Sequence, residues 1–239
     1  MSDIKPAADL HVHTIASGHA FSTINEIARA AADKGLLAIG MTDHGPSLPG
    51  GPHRYHFASL RFIPETLHGV RILKGIEANI LSARRLDLPV RDLEKLELVI
   101  AGFHDGCGYI SGSVKQNTRV LCATMDLPYV KVITHPGNPR FPVDHETIVK
   151  HAVNSNTAIE INNSSFGLSR GGDSSNIESI VELCIKHPAL FAVCSDAHIC
   201  QQVGEVADAL QLIKDVGIHP ERIVNRTLES TLDFLDLQA

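Results

Sequence analysis

An α/β fold, one closed or nearly closed barrel of seven β-α units, is what the sequence predicts. Three observations carry this. Strand-like apolar runs alternate with helical segments along the chain, which implies a mainly parallel sheet. No clear break or linker interrupts the alternation. The length, 239 residues, is that of one such barrel, so 1–239 reads as a single domain.

The first strand is Ala8–Thr14. A helix follows from Thr23 to Lys34, with Thr23 and Glu26 spaced as a capping box, Ile24, Ile27, Ala28 and Ala31 at helical period, and Gly35 as its stop. Leu36–Thr42 is the second strand, ending in Asp43-His44. Val70–Glu77 is the third, Leu96–Phe103 the fourth, Tyr129–Thr134 the fifth, Ala158–Asn162 the sixth and Leu190–Ser195 the seventh. Helices are expected from near Val114, from Asp144 as N-cap to about Asn154, from Asp173 to before Pro188, over Val203–Val216, and from Thr227 to Leu235. The stretch Gly45–Pro64, rich in Pro and Gly and carrying His53-Arg54-Tyr55-His56, breaks the rhythm. A loop that long in a compact barrel is functional or disordered. A smaller Gly-rich loop, Asp105–Ser113, follows the fourth strand.

The bulk properties narrow the function. A net charge of −6 argues against nucleic acid as a main partner. It does not exclude a small anionic substrate, because bound divalent ions reverse the sign locally. The five cysteines are odd in number and no CxxC occurs, so neither a disulfide framework nor a structural zinc knot is expected. The N-terminus lacks the apolar run of a signal peptide, and no stretch reaches membrane-spanning length. A cytoplasmic protein with reduced thiols and no membrane partner is the expectation.

The chemistry concentrates at strand ends. Residues two apart on a strand point the same way, so His11 and His13 project together, with His19 on the loop beyond. His44, Glu77, His104, His135, Asp196 and His198 stand at the ends of later strands. In a β/α barrel those ends form the active-site face. Nine nitrogen or oxygen donors, at about three protein ligands per metal, imply three metals, or two with crowded surroundings. The plainer reading of Glu77 is a buried carboxylate paired with a base such as Arg71. His68, His145, His151, His187 and His219 have no strand-end setting and read as solvated surface residues.

These motifs resemble the PHP family (polymerase and histidinol phosphatase), over nearly the whole chain. The shared signatures are His11-Val12-His13, Thr42-Asp43-His44, Glu77, His104, His135 and Asp196-Ala197-His198. The stretches Thr42–Pro46, Gly75–Ile80, Ala101–His104, His135–Pro139, Glu160–Phe166 and Ser169-Arg170 are most like the stand-alone YcdX-like phosphatases of that family. The resemblance implies a distorted seven-stranded (β/α)7 barrel of TIM-like type, a single metallophosphoesterase domain. It also implies three divalent metal ions, usually zinc, sometimes manganese or iron. By the same resemblance His11, His13, Glu77 and Asp196 bind the first metal. Glu77 bridges to a second held by His104 and His135, and His19, His44 and His198 bind the third.

The expected reaction is hydrolysis of phosphate monoesters of small molecules through a metal-bridging hydroxide, because a dianionic ester repels free hydroxide and metals neutralise it. Glu77 and Asp196 serve it as ligands. Asp43 either orients a ligand or caps a loop. Arg170 suits phosphate recognition, a solvated loop arginine being the alternative, and His53, Arg54 and His56 are expected to offer a basic wall or lid, Arg54 and His56 for substrate. Asn162, Asn163, Ser164 and Ser165 offer hydrogen bonds to substrate or ligands, or simply make a turn. Three alternatives stand beside this. An amidohydrolase-like C–N or C–O hydrolase of the carbamylated-lysine kind needs a strand-end Lys, and Lys74 lies inside the strand. A metal-binding regulatory module would cleave nothing. A polymerase proofreading domain is disfavoured by the acidic charge. A small phosphorylated substrate is the expected partner, and a homo-oligomer is compatible with all of this.

Overall fold

A computed structural model describes residues 5–167 and 173–238. Seven strands run parallel in one sheet. They are β1 (Ala8–Val12), β2 (Ala38–Met41), β4 (Val70–Ser82), β6 (Leu98–Gly102), β7 (Val130–Ile133), β8 (Ala158–Asn162) and β9 (Phe191–Cys194), neighbours in that order. Two short strands, β3 (Thr66–Leu67) and β5 (Arg85–Leu86), pair antiparallel with β4. Between the strands lie α1 (Ile24–Asp33), α2 (Tyr55–Ser59), α3 (Val90–Leu93), α4 (Val114–Met125), α5 (His145–Ser155), α6 (Asp173–Lys186) and α7 (Ala207–Val216), with α8 (Leu228–Phe234) at the C-terminus.

Local chemistry explains the helix starts. The Thr23 amide donates to Glu26 Oε2 at 2.7 Å while the Glu26 amide donates to Thr23 Oγ1, which completes the capping box of α1. Asp144 accepts the Thr147 amide at 2.8 Å and opens α5. Three boundaries differ from the sequence reading. The third main strand runs on to Ser82, because β5 folds back to pair with it. The helix expected from Val203 starts at Ala207, after a 3-10 turn at Cys200–Gln202. Gly45–Pro64 contains α2 and a 3-10 turn at Leu60–Phe62, anchored by buried Phe57 and Leu60.

Two apolar layers hold the barrel. The inner one takes Ala8 and Leu10, Ala38, Leu73, Leu98 and Ile100, Val132, Ala158, and Ala192 and Cys194, so every parallel strand contributes; Leu232 and Leu235 close its floor. The outer one packs Ile27, Ala28 and Ala31 of α1, and the matching faces of other helices, on Ile39, Met41, Ile72 and Ile76. The interior is tight. A β-carbon at Gly40 would sit 2.6 Å from both the Leu10 carbonyl oxygen and Leu98 Cδ2.

β1 departs from simple alternation. Its register with β2 shifts between Asp9 and Val12. Leu10 therefore joins the inner core and Val12 the outer one, while His11 still faces the strand-end cavity. Such bulges re-aim side chains beside functional sites. Asp9, which strict alternation would place with His11, instead closes the barrel. Its carboxylate accepts the Ser195 amide at 3.1 Å and the Gly204 amide at 2.8 Å. Lower on the same seam the Asn225 amide donates to the Ala8 and Val193 carbonyls, each at 2.7 Å.

Candidate metal centre

The strand ends bring all nine expected donors into one cluster. Glu77 stands at its middle, buried, with its two oxygens facing different groups. Oε1 lies 3.0 Å from His104 Nε2 and 2.9 Å from His135 Nε2. Oε2 lies 3.2 Å from His11 Nε2, 3.4 Å from His13 Nε2 and 3.0 Å from His44 Nδ1. Asp196 Oδ1 approaches His13 Nε2 at 3.2 Å and His11 Nε2 at 3.4 Å. Three sets have donor atoms mutually within 4.8 Å: His11, His13 and Asp196; His44, Glu77 and His104; and His13, His44 and His198. The last set contains His13, where the resemblance places His19. The His19 ring is nonetheless 4.8 Å from that of His198 and 5.1 Å from that of His44, centroid to centroid.

A second layer fixes which nitrogen faces inward. His11 Nδ1 meets Glu160 Oε1 at 2.6 Å. The Ser17 hydroxyl donates to Asp43 Oδ1 at 2.7 Å, so its oxygen is left to accept His13 Nδ1–H and the His44 amide, each at 3.1 Å. His19 Nδ1 lies 3.1 Å from the Ser17 carbonyl and His198 Nδ1 2.9 Å from the Asp196 carbonyl. In all four Nδ1 has a partner that can accept its proton, which turns Nε2 toward the centre as the donor once the ring is neutral. The Nε2 lone pairs of His19 and His198 then face each other, 3.0 Å apart. Two such nitrogens repel unless a proton or cation lies between them. Nitrogens bound to one zinc, each at about 2.0–2.1 Å, are about 3.0–3.4 Å apart, so the spacing fits a shared metal. Although Glu77 Oε2 and His44 Nδ1 lie 3.0 Å apart, neither makes an aligned hydrogen bond, and buried His104 Nδ1 also lacks a hydrogen-bond partner among the described residues.

The electrostatics agree. Burial alone would raise the Glu77 carboxyl, but His11, His104 and His44 beside it hold it well below the ordinary carboxylate range. Burial, reinforced by His44, pushes His13 down to about 3, and burial also lowers His19, so both are neutral at pH 7. His11 goes the other way. Burial would depress it, but Glu77, Glu160 and Asp196 raise it well above the usual value. His135 and Asp196 hold left-handed backbone conformations, φ 32° and 56°. Such conformations cost about 1–3 kcal/mol each and recur at functional sites.

Arg71 pairs with Glu65 at 3.1 Å and Glu97 at 2.7 Å, so the Arg71 partner considered for Glu77 is engaged elsewhere. Asp43 accepts the Thr14 amide at 2.7 Å as well as the Ser17 hydroxyl, and His56 Nε2 lies 3.1 Å away. His56 thus flanks the centre through Asp43, while Arg54 pairs with Asp92 at 3.0 Å. Asn162 donates to Asp196 Oδ2 at 3.0 Å, Asn163 Oδ1 accepts the Ala209 amide at 3.1 Å, and Ser164 donates to the Ser195 carbonyl at 2.9 Å; these serve the site's frame. Ser165 is buried. Arg170 lies outside the described residues. His68 and His219 are exposed as expected, but His145, His151 and His187 are half-buried, with His145 Nδ1 3.1 Å from Ser179 Oγ and His151 Nε2 2.8 Å from Asp126. Glu160 opens the shared stretch Glu160–Phe166, and as a charge inside the apolar strand Ala158-Ile159-Glu160-Ile161 it carries a readable signal of its own; Ser17 carries none.

Fold and donors together define a class, a β/α barrel whose strand ends are furnished to hold metal ions. The chain belongs to the PHP domain family, which it matches over residues 9–164. It is 50% identical to a probable phosphatase of Syntrophotalea carbinolica, across 99% of this chain and 98% of that one. Among solved structures it is similar in fold to the histidinol phosphate phosphatase of Lactococcus lactis complexed with zinc, L-histidinol and phosphate. There the TM-score is 0.59 at 14% identity, covering 89% of this chain and 94% of that one. Metal-dependent tyrosine phosphatases of Bacillus subtilis and Streptococcus pneumoniae give a TM-score of 0.58 at 20% identity, covering 97% and 95%.

Proposed function

We propose that this chain is a metal-dependent phosphatase that hydrolyses monoesters of small phosphorylated molecules. One observation carries the reading: the two oxygens of Glu77 face two separate imidazole sets, the arrangement of a bridging carboxylate. His11, His13 and Asp196 would hold one ion beside Oε2. His104 and His135 would hold a second beside Oε1. His44, His198 and His19 would hold a third at the outer edge. Zinc is the favoured metal, since imidazole and carboxylate suit it and the Lactococcus lactis neighbour is complexed with it. Bound there, divalent ions supply charge neutralisation for a phosphate dianion and acidify a water for attack on phosphorus. The chain's own residues fix the donors: Glu160 orients His11, Asp43 acts through Ser17 on His13, and Asn162 holds Asp196. In the hydrolysis a water oxygen bonds to phosphorus, the ester P–O bond breaks, and the alcohol leaves with a proton.

We take 1–239 as one domain, because its donors run from His11 to His198. Five free cysteines favour a reducing, cytoplasmic setting. Among the described residues no helix is long and apolar enough to cross a membrane. With its acidic charge the chain has a small phosphorylated molecule, not nucleic acid, as its expected partner.

Protein purified without chelator is expected to carry two to three equivalents of zinc or a similar metal per chain and to hydrolyse members of a phosphomonoester panel. Elemental analysis with that panel checks both. Less than one equivalent, with no activity restored by added metal, rejects the proposal. Amide hydrolysis in place of phosphatase activity would favour the C–N hydrolase.

A pH prediction follows from His11. Metal binds only neutral imidazole, and His11 is held protonated in the metal-free state by the carboxylates around it. Loading therefore releases a proton near neutral pH, and affinity rises with pH. Phosphatase activity falls below about pH 6 as protons compete for the imidazoles. Zinc titration by calorimetry in two buffers of different ionisation enthalpy counts the proton; buffer-independent heats contradict it.

A further inference from the structure

Three large apolar side chains stand exposed beside the outer donor pair. Phe21 is 76% exposed, Ile15 57% and Ile199 37%. Scattered exposed hydrophobes are ordinary, but these three are knit together by backbone. The Phe21 amide donates to the His198 carbonyl at 2.8 Å, and the Ile15 amide donates to the Ser22 carbonyl at 2.9 Å. Ile199 follows His198 directly, and the Cys200 amide donates to Ser22 Oγ at 3.0 Å. From His19 to Thr23 burial alternates, exposed, buried, exposed, buried, exposed, which puts Phe21 on the same side of the segment as His19. The position of this segment is fixed from two sides. Thr23 begins α1, and the left-handed turn at Gly18 packs so closely on Gly50 that a β-carbon there would lie 2.2 Å from the Gly50 carbonyl oxygen.

We propose that Phe21, flanked by Ile15 and Ile199, forms a platform that selects substrates with an apolar, preferably aromatic, leaving group. This rests on the phosphatase reading above. A phosphate lying against the His19–His198 pair cannot extend its ester group downward, because the inner apolar core fills the barrel below the donors. The ester group must project outward, and Phe21, Ile15 and Ile199 form one side of that exit, next to His198. An aromatic platform gains most from a flat apolar partner.

The test compares phenyl phosphate with glycerol phosphate on the metal-loaded protein. Phe21→Ala should lower the ratio of kcat/KM for phenyl phosphate over glycerol phosphate by about fivefold to tenfold, mainly through KM. Phe21→Tyr should restore most of that ratio, and Phe21→Leu part of it. A ratio that holds within twofold in Phe21→Ala overturns the platform. So does a loss shared equally by both substrates together with a change of assembly state by light scattering, which would make the patch a contact with a second copy. If the unaltered protein cleaves no member of the phosphomonoester panel, the phosphatase reading itself falls and the platform falls with it; activity on either ester keeps the two failures apart.

Discussion

Glu77→Gln is expected to strip metal from both sides of the cluster and to bring turnover below detection. The amide keeps the shape of the carboxylate but carries no charge, and only one of its two atoms can act as a donor to a cation. Because Oε1 and Oε2 face different imidazole sets, one substitution damages two sites together. His19→Ala, at the exposed outer edge, should cost about one equivalent and leave weak activity. Metal stoichiometry and melting temperature on both variants read this out. A Glu77→Gln protein that binds as much metal as the parent refutes the bridging role. The metal-free proteins give a second reading. The Glu77 carboxyl is held below its ordinary value by the imidazoles, so its charge stabilises the fold above the unfolded pKa, and that contribution is lost as pH falls through the folded pKa. Metal-free Glu77→Gln should therefore melt lower than the parent at neutral pH, with the gap narrowing in acid.

Glu160→Gln should weaken metal binding by about 10–100-fold without removing a proposed ligand. Glu160 is buried, accepts the His135 amide at 2.7 Å and meets His11 Nδ1 at 2.6 Å, so it steadies donors assigned to two of the proposed metal sites. In the Gln variant one oxygen must serve both, and the negative charge that favours His11–metal binding is gone. Activity should recover when metal is raised well above the parent's requirement, which a loss of chemistry alone would not allow. Loading should also release fewer protons, because His11 loses one of the three carboxylates that raise it. Competition with a coloured zinc chelator gives the affinity. Parent-like affinity in Glu160→Gln would mean that His11 and His135 hold their places without it.

Much of this centre was legible in the sequence, because donors at the ends of apolar runs are conspicuous. His11, His13 and Asp196 break an apolar pattern near a strand's end and Glu77 breaks one inside β4, and the structure gathers them within a few ångströms. The partners behind them were harder to see. Ser17 acts through a hydroxyl on a short 3-10 turn, and nothing in Ile15-Ala16-Ser17 marks it. The role of Asp9 is hidden for a different reason. Period-two alternation assumes a regular ladder, and the bulge in β1 moves Asp9 to the seam while keeping His11 at the centre. The loop from Gly45 to Pro64 showed no helix signal because α2 spans only Tyr55–Ser59. Its place is set by burying Phe57 and Leu60, a tertiary effect that outweighs local propensity.

The seam between β1 and β9 bears on how the protein comes to exist. Asp9 and Ser195 are 186 positions apart in the chain, and Asn225 is 217 from Ala8. Contacts of such separation form late, because the entropy of closing the loop is lost before they stabilise anything. Asp196 and His198 arrive with that seam, so a barrel that has not closed has no finished cluster to offer. Metal that binds only the completed barrel stabilises it over its open precursors by mass action, more so as free metal rises.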